Sequence, residues 1–302
     1  RISTPRLDAL RGVLSARNAA RRFPFGADAE GTGALVYGGA CCAQRRNAAN
    51  APGRRVYGVA KGRTDLRVAQ PGSSGIVVVK IGGSILVDRE AYHRAAAHVR
   101  RQLRRRPEER LLLVVSAENG LTDALLAQAR EIVPEPDAAA LDLLWSTGEL
   151  RSVALLAMHL HRCGVPAAAL NVHETGLLLR RGRSDARGVE LHSRRLRSAL
   201  LRHPAVVVPG FLARRPWGTV VSLGRGGSDL TAVVLAAGLR AGRCELVKDV
   251  PGYFDKDPNR HADARHLPSV SFERALAMAA DGCDLVQRAA LEAAASAGLP
   301  LL

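Results

Sequence analysis

The residues best suited to chemistry lie between Leu223 and Ala232, in the run Leu-Gly-Arg-Gly-Gly-Ser-Asp-Leu-Thr-Ala. Three glycines fall within four residues there, with Arg225 between them. Aliphatic and small residues at helical spacing follow from Leu230 to Leu239. That places Ser228 and Asp229 in the first turn, where backbone N–H groups lack internal partners and negative charge is favoured. Gly226 and Gly227 allow a ligand close to the backbone. Arg225 offers a forked contact for a carboxylate or phosphate. A glycine turn before a capped helix is the plain alternative.

Lys80-Ile-Gly-Gly-Ser84 puts a cation at a strand end, before a loop with little side-chain bulk. Such a loop wraps phosphate oxygens with backbone N–H groups, and the lysine supplies a point charge for a transferring phosphoryl group. The spacing is neither GxxxxGK[ST] nor GxGxxG. A lysine snorkelling from a strand end is the structural alternative. Ser-Thr-Gly-Glu149 sets one carboxylate at an expected helix start, as a clamp for a substrate ammonium group or as simple dipole compensation. The stretch from Lys248 to Pro258 turns sharply at Pro251-Gly252 and carries Asp249, Tyr253 and Asp257. It reads as a nucleotide-contacting loop or as an ordinary polar surface loop.

The elements that must position these groups alternate between strand and helix. Ile76–Ile81 and Leu111–Val115 are continuous apolar runs, expected as buried strands. Strands are also expected over residues 166–171, 205–209 and 244–250. Helices are expected over 88–106, 123–132, 137–145, 150–162, 191–201, 230–239, 271–280 and 285–297, with Ser146–Glu149 as an interruption. Residues 175–190 read as a polar loop or hairpin. This alternation predicts an α/β fold, a three-layer αβα sandwich around a mainly parallel sheet. Ligands in such folds sit at the carboxyl ends of the strands. The polar stretches after Lys80, Val115, Pro209 and Val247 are expected to converge on that edge.

Composition narrows the class. The chain has 302 residues, 47% hydrophobic but only 4% aromatic, so its core is aliphatic. Of the net charge of +16, residues 1–75 contribute +9 (13 Lys+Arg against 4 Asp+Glu). That segment shows little periodicity and is expected as a low-order basic extension, with 76–302 as the folded domain. Basic residues are not interleaved with aromatics, so no nucleic-acid partner is expected. No apolar run approaches the roughly 18 residues that span a bilayer. Five cysteines without a CxxC pair suit a reduced, cytoplasmic protein.

Taken in order, Lys-x-Gly-Gly-Ser, Ser-Ala-x-x-Gly-Leu-Thr, Gly-Glu-Leu, Leu-Gly-Arg-Gly-Gly-Ser-Asp and Asp-Val-Pro-Gly-Tyr-x-x-x-Asp-Pro resemble the amino acid kinase family, and within it the aspartokinases. The resemblance runs from about Ile76 onward. It implies that Lys80, Gly82, Gly83 and Ser84 hold the transferring phosphate, with Lys80 and Asp229 catalytic. It implies that Thr122, Glu149, Arg225 and Ser228 contact the amino acid substrate, Glu149 through its ammonium group. Lys248, Asp249, Tyr253 and Asp257 are then expected at ATP, with Mg2+ bridging phosphates. The implied reaction makes 4-phospho-L-aspartate from L-aspartate, the first step of the aspartate-family pathway. No protein residue is expected to bind a metal on its own, and a homodimer is expected. The alternatives are a kinase of the same fold acting on another acid, and a non-catalytic regulatory member.

Three departures stand out. The family's threonine before the Asp-Val loop is Lys248, and its loop tyrosine aligns with Phe254 beside Tyr253. In the family's Gly-Ala-Lys-Val-Leu-His-Pro segment the lysine is replaced by Asp284, a loss for which Lys248 is expected to compensate. No pattern of the family's regulatory ACT domains fits the residues present, so feedback by lysine or threonine through them is not expected.

Overall fold

The computed structural model describes residues 75–302, apart from 181–187, 225, 251, 259 and 284. The expected basic extension, residues 1–74 of it, lies outside the described residues, as do Arg225 and Asp284.

Five parallel strands form the central sheet in the order β3-β6-β2-β1-β9. They are β1 (Ile76–Ile81), β2 (Arg110–Val115), β3 (Ala167–Ala169), β6 (Ala205–Pro209) and β9 (Arg243–Val247). In register, Lys80 pairs with Val114 on one side and Leu246 on the other. Alternation along each strand sends side chains to opposite faces. Val77, Val79 and Ile81 therefore join one core cluster and Val78 the other. Because both faces are covered, the strands are apolar throughout.

Two helices cover the face of Val77 and Val79: α1 (Arg89–Arg105) and α3 (Ala138–Arg162). The other face packs against α5 (Arg194–Arg202), α6 (Gly227–Leu239), α7 (Phe272–Ala280) and α8 (Arg288–Ala297). Lys80 shares the parity of Val78, and its side chain reaches toward α6. Two further helices, α2 (Leu121–Ile132) and the single turn α4 (Val172–Thr175), lie in the connections.

A second sheet, in the order β5-β4-β7-β8, is built from β4 (Leu177–Leu179), β5 (Val189–Leu191), β7 (Leu212–Arg214) and β8 (Val220–Ser222). The expected hairpin at 175–190 is the antiparallel β4–β5 pair. The β7–β8 hairpin had no counterpart in the sequence reading, since three-residue strands carry too little alternation to register. Leu191 belongs to β5 rather than to the following helix, and β9 ends at Val247 rather than Val250.

One correction touches the site. The expected break at Ser146–Glu149 does not occur, and α3 runs unbroken through it. Ser146 and Thr147 return their hydroxyls to the carbonyls of Leu143 and Leu144, at 2.6 and 2.7 Å. Gly148 is there for close approach: a Cβ at that position meets Leu121 Cδ2 at 3.2 Å and Ala117 Cβ at 3.3 Å. Glu149 is thus in mid-helix, on the same buried stripe as Val153, Leu156 and Leu160.

Candidate active site

At the carboxyl ends of β1 and β9 two lysine side chains meet at Asp229. This residue lies in the first turn of α6 and is 3% exposed. Lys80 Nζ is 2.9 Å from its Oδ1, and Lys248 Nζ, just beyond β9, is 2.8 Å from its Oδ2. Lys80 is itself buried. Burial lowers its pKa, Asp229 opposes that, and the Lys248 ammonium lowers it further. Two ammonium groups against one carboxylate leave this pocket net positive, at a helix N-terminus that already favours anions. Among the described residues no side chain caps that terminus.

The glycine loop after β1 forms the next wall. Leu86 N–H donates to Gly82 O and Gly83 O at 3.3 and 3.1 Å, which closes the turn. A Cβ on Gly82 meets Lys80 Nζ at 3.2 Å and Ser84 Oγ at 3.8 Å, so this backbone passes directly beneath the ammonium. A Cβ on Gly83 meets Ala117 O at 2.5 Å, so the loop abuts the connection after β2. From that connection Ser116 Oγ donates to Ser228 Oγ at 3.0 Å. Ser116 was quoted in the sequence motif but given no role. Its place at the end of a buried strand was the available signal.

Glu149 is 3% exposed, and its Oε2 has no hydrogen-bond partner among the described residues. Burial pushes its pKa up to about 8, against the pull of the Ala117 N–H and of Lys80. A buried carboxyl with a free oxygen beside a cation is set up to receive a second charged group. Thr122 lies in the first turn of α2, next to Leu121, which touches Gly148. Its carbonyl accepts from Trp145 Nε1 at 3.2 Å, and the Trp145 ring meets Phe211 edge-on at 5.8 Å. Phe211 holds a φ of 64°, a strained conformation for a residue other than glycine. Neither aromatic was singled out from the sequence.

The loop after β9 is divided. Lys248 joins the cluster. Asp249 is exposed, and its side chain has no partner among the described residues. Tyr253 is partly buried against the core and lines a cleft of about 550 Å³ that also reaches Lys248 and Gly252. Asp257 lies further along, with its carboxylate 3.4 Å from Arg260 Nε rather than at the lysine cluster. Phe254 pairs across the loop with His266.

Residues 75–302 match the amino acid kinase family. The chain belongs to this family. An aspartokinase of Thermus thermophilus is 38% identical over 226 residues, which is 75% of this chain and 55% of that protein. The chain spans about half the length of the curated relatives it matches. Among solved structures, the aspartate kinase of Synechocystis superposes with a TM-score of 0.64 at 30% identity, over 75% of this chain and 37% of that one. Aspartokinase III of E. coli, in complex with aspartate and ADP, gives 0.63 at 26% identity, over 75% and 61%. The amino acid kinase fold thus accounts for the parallel central sheet and the helices that flank it. The pairing of Lys248 with Asp229 is a feature of this chain's own residues.

Proposed function

We propose that residues 76–302 form a catalytic domain that phosphorylates the side-chain carboxylate of L-aspartate with ATP. The observation that carries this reading is the meeting of Lys80, Lys248 and Asp229 in the first turn of α6, with Glu149 Oε2, unpartnered among the described residues, nearby. The likeness to aspartokinases supports it.

In this reading an oxygen of the aspartate side chain attacks the γ-phosphorus of ATP, a new P–O bond forms, and the bond to the β-phosphate oxygen breaks to release ADP. The nucleophile is already ionised near neutral pH, so no strong general base is required. Lys80 and the backbone of Gly82, Gly83 and Ser84 stabilise the charge on the phosphoryl oxygens. Asp229 holds the two lysines apart and in place. Glu149 receives the substrate ammonium on its free oxygen, and Thr122, Ser228 and Arg225 complete the amino acid pocket. Tyr253 and Asp249 serve the nucleotide side.

Magnesium is held through one or two carboxylates plus substrate phosphates rather than in an all-protein cage. No group of three or more His, Cys, Asp or Glu side chains among the described residues is placed to hold a metal. Asp249, exposed beside Lys248, would hold such an ion together with the nucleotide's phosphates. When bound, the ion neutralises phosphate charge. Among the described residues no helix is long and apolar enough to cross a membrane.

A hydroxamate assay tests the reading directly, because hydroxylamine traps an acyl phosphate as it forms. Aspartate turnover with ATP is the expected result. Turnover of a different acid, or nucleotide binding without turnover, overturns the substrate assignment or the activity respectively.

A further inference from the structure

The basic outer face of α1 has no part in the cleft described above. At its C-terminal half it forms one wall of a separate cleft of about 360 Å³, lined by His98, Arg101, Arg105, Arg106, Arg243 and Glu245 among others. Arg243 begins β9 and Lys80 lies near the end of the paired strand β1, so this cleft sits at the opposite edge of the sheet from Asp229.

The floor of the cleft is a fixed ion-pair network. Arg243 donates to both oxygens of Glu109, at 2.6 and 3.1 Å, and through Nε to Glu245 at 2.6 Å. Arg106 and Gln102 add bonds to Glu109 at 3.0 and 3.2 Å. Glu109 is 5% exposed. Burial alone raises its pKa, but the bonds from Arg243, Arg106 and Gln102 outweigh that and hold it down at about 2. Glu109 is therefore ionised, and both acids are already engaged by Arg243. Four guanidinium groups (Arg101, Arg105, Arg106, Arg243) against two carboxylates (Glu109, Glu245) leave a net +2.

That surplus has an address. Arg101 and Arg105 lie one turn apart on α1, are exposed, and have no acidic partner among the described residues. Side chains four apart on a helix stand over the same patch. Their planar forks suit phosphate oxygens, and the imidazole of His98, one turn earlier, extends the row. Two cations at a helix C-terminus also offset its dipole, but dipole compensation requires no concave wall and no braced third arginine.

We propose that this cleft binds a small polyanion carrying linked phosphate groups, held by Arg101 and Arg105 against the wall braced by Arg243. A cleft of this volume is in the range of small-molecule sites.

Pyrophosphate is the probe, titrated calorimetrically into the wild-type protein at constant ionic strength. The catalytic pocket also attracts phosphate, so Lys80→Ala is titrated in parallel. The expected result is saturable binding that persists in Lys80→Ala and weakens about tenfold or more in Arg101→Ala/Arg105→Ala. Both substituted residues are exposed, so that variant retains its fold, checked by an unchanged melting temperature. Binding lost in Lys80→Ala and unchanged in the double variant assigns all of it to the catalytic pocket and overturns the proposal. Binding of a long polyanion such as an oligonucleotide without saturable pyrophosphate binding makes the face a diffuse basic surface, and also overturns it. No outcome depends on which acid the enzyme phosphorylates.

Discussion

Lys248 Nζ lies 2.8 Å from Asp229 Oδ2, on the opposite carboxylate oxygen from Lys80. One buried acid thus orders two cations that arrive from different strands. Without Asp229, two ammonium groups face each other in a poorly solvated pocket. Their repulsion disfavours the charged form of Lys80 further or drives the two apart. The pair and the acid therefore act as one unit.

That unit predicts the outcome of substitution at each member. Lys80→Ala and Asp229→Ala are expected to abolish most turnover. On the proposed reading Lys248→Thr removes one of two positive groups facing the transferring phosphate, and it is expected to cost about 10²-fold in kcat, the scale for loss of one preorganised electrostatic contact. Lys248→Arg is expected to recover part of it. Steady-state kinetics in the hydroxamate assay check the series. A Lys248→Thr enzyme with wild-type kcat removes Lys248 from the site.

The glycine loop separates stability from activity. A Cβ on Gly83 meets the Ala117 carbonyl at 2.5 Å, a backbone atom that cannot move aside. Gly83→Ala is expected to destabilise by about 1–3 kcal/mol, or roughly 2–12 °C in Tm. A Cβ on Gly82 instead meets the flexible end of Lys80 at 3.2 Å. Gly82→Ala is expected to displace the ammonium and lower kcat while Tm changes little. Thermal melts and kinetics on both variants check the contrast. Equal behaviour of the two removes it.

Much of this edge was legible in the sequence. The β-branched run before Gly82 and the small-residue run after Asp229 are long enough to define a strand and a helix, and they fix where Lys80 and Asp229 emerge. Glu149 was harder. Ser, Thr and Gly in sequence read as a break by propensity, yet the gap between Ala117 and Leu121 admits only a glycine, so packing overrode propensity. The ion pair of Lys248 with Asp229 spans 19 residues and depends on the register of β9 against β1, which no local pattern encodes. Trp145 and Phe211 were missed because one closes the helix expected just before the supposed break and the other precedes a strand too short to read.

Glu149 gives the apo protein a pH dependence. Its carboxyl is raised to about 8 by burial, above the value of about 4.5 that it has when unfolded. The folded state then holds a proton that the unfolded state has lost, so stability falls as pH rises through this interval. The contribution is fully present below about 4.5 and gone above about 8. Apo Tm is expected to fall between pH 5.5 and 8 more steeply in the wild type than in Glu149→Gln. An ammonium group arriving on the free oxygen favours ionised Glu149, so amino acid binding at pH 7 is expected to release protons. Calorimetry in buffers of different ionisation enthalpy measures that release, and none in the wild type contradicts the role of Glu149.

Trp145 reports on the same pocket from the other side. The chain has two tryptophans, and the other, Trp217, is 63% exposed. In Trp217→Phe all indole emission therefore comes from Trp145, whose N–H is bound to the Thr122 carbonyl and whose ring abuts Phe211. An amino acid lodged between Thr122 and Glu149 perturbs that environment, whereas a nucleotide on the Lys248 side does not touch it. Saturable emission changes are expected with aspartate and not with ADP alone. Trp145→Phe keeps the edge contact with Phe211 but loses the hydrogen bond that steadies Thr122. A lost hydrogen bond of this kind is worth about 1 kcal/mol, or roughly fivefold. It is expected in the KM for aspartate, with kcat nearly unchanged, because the bond steadies binding rather than the transferring phosphate. Emission that follows ADP instead, together with an unchanged KM, places the amino acid elsewhere than beside Thr122.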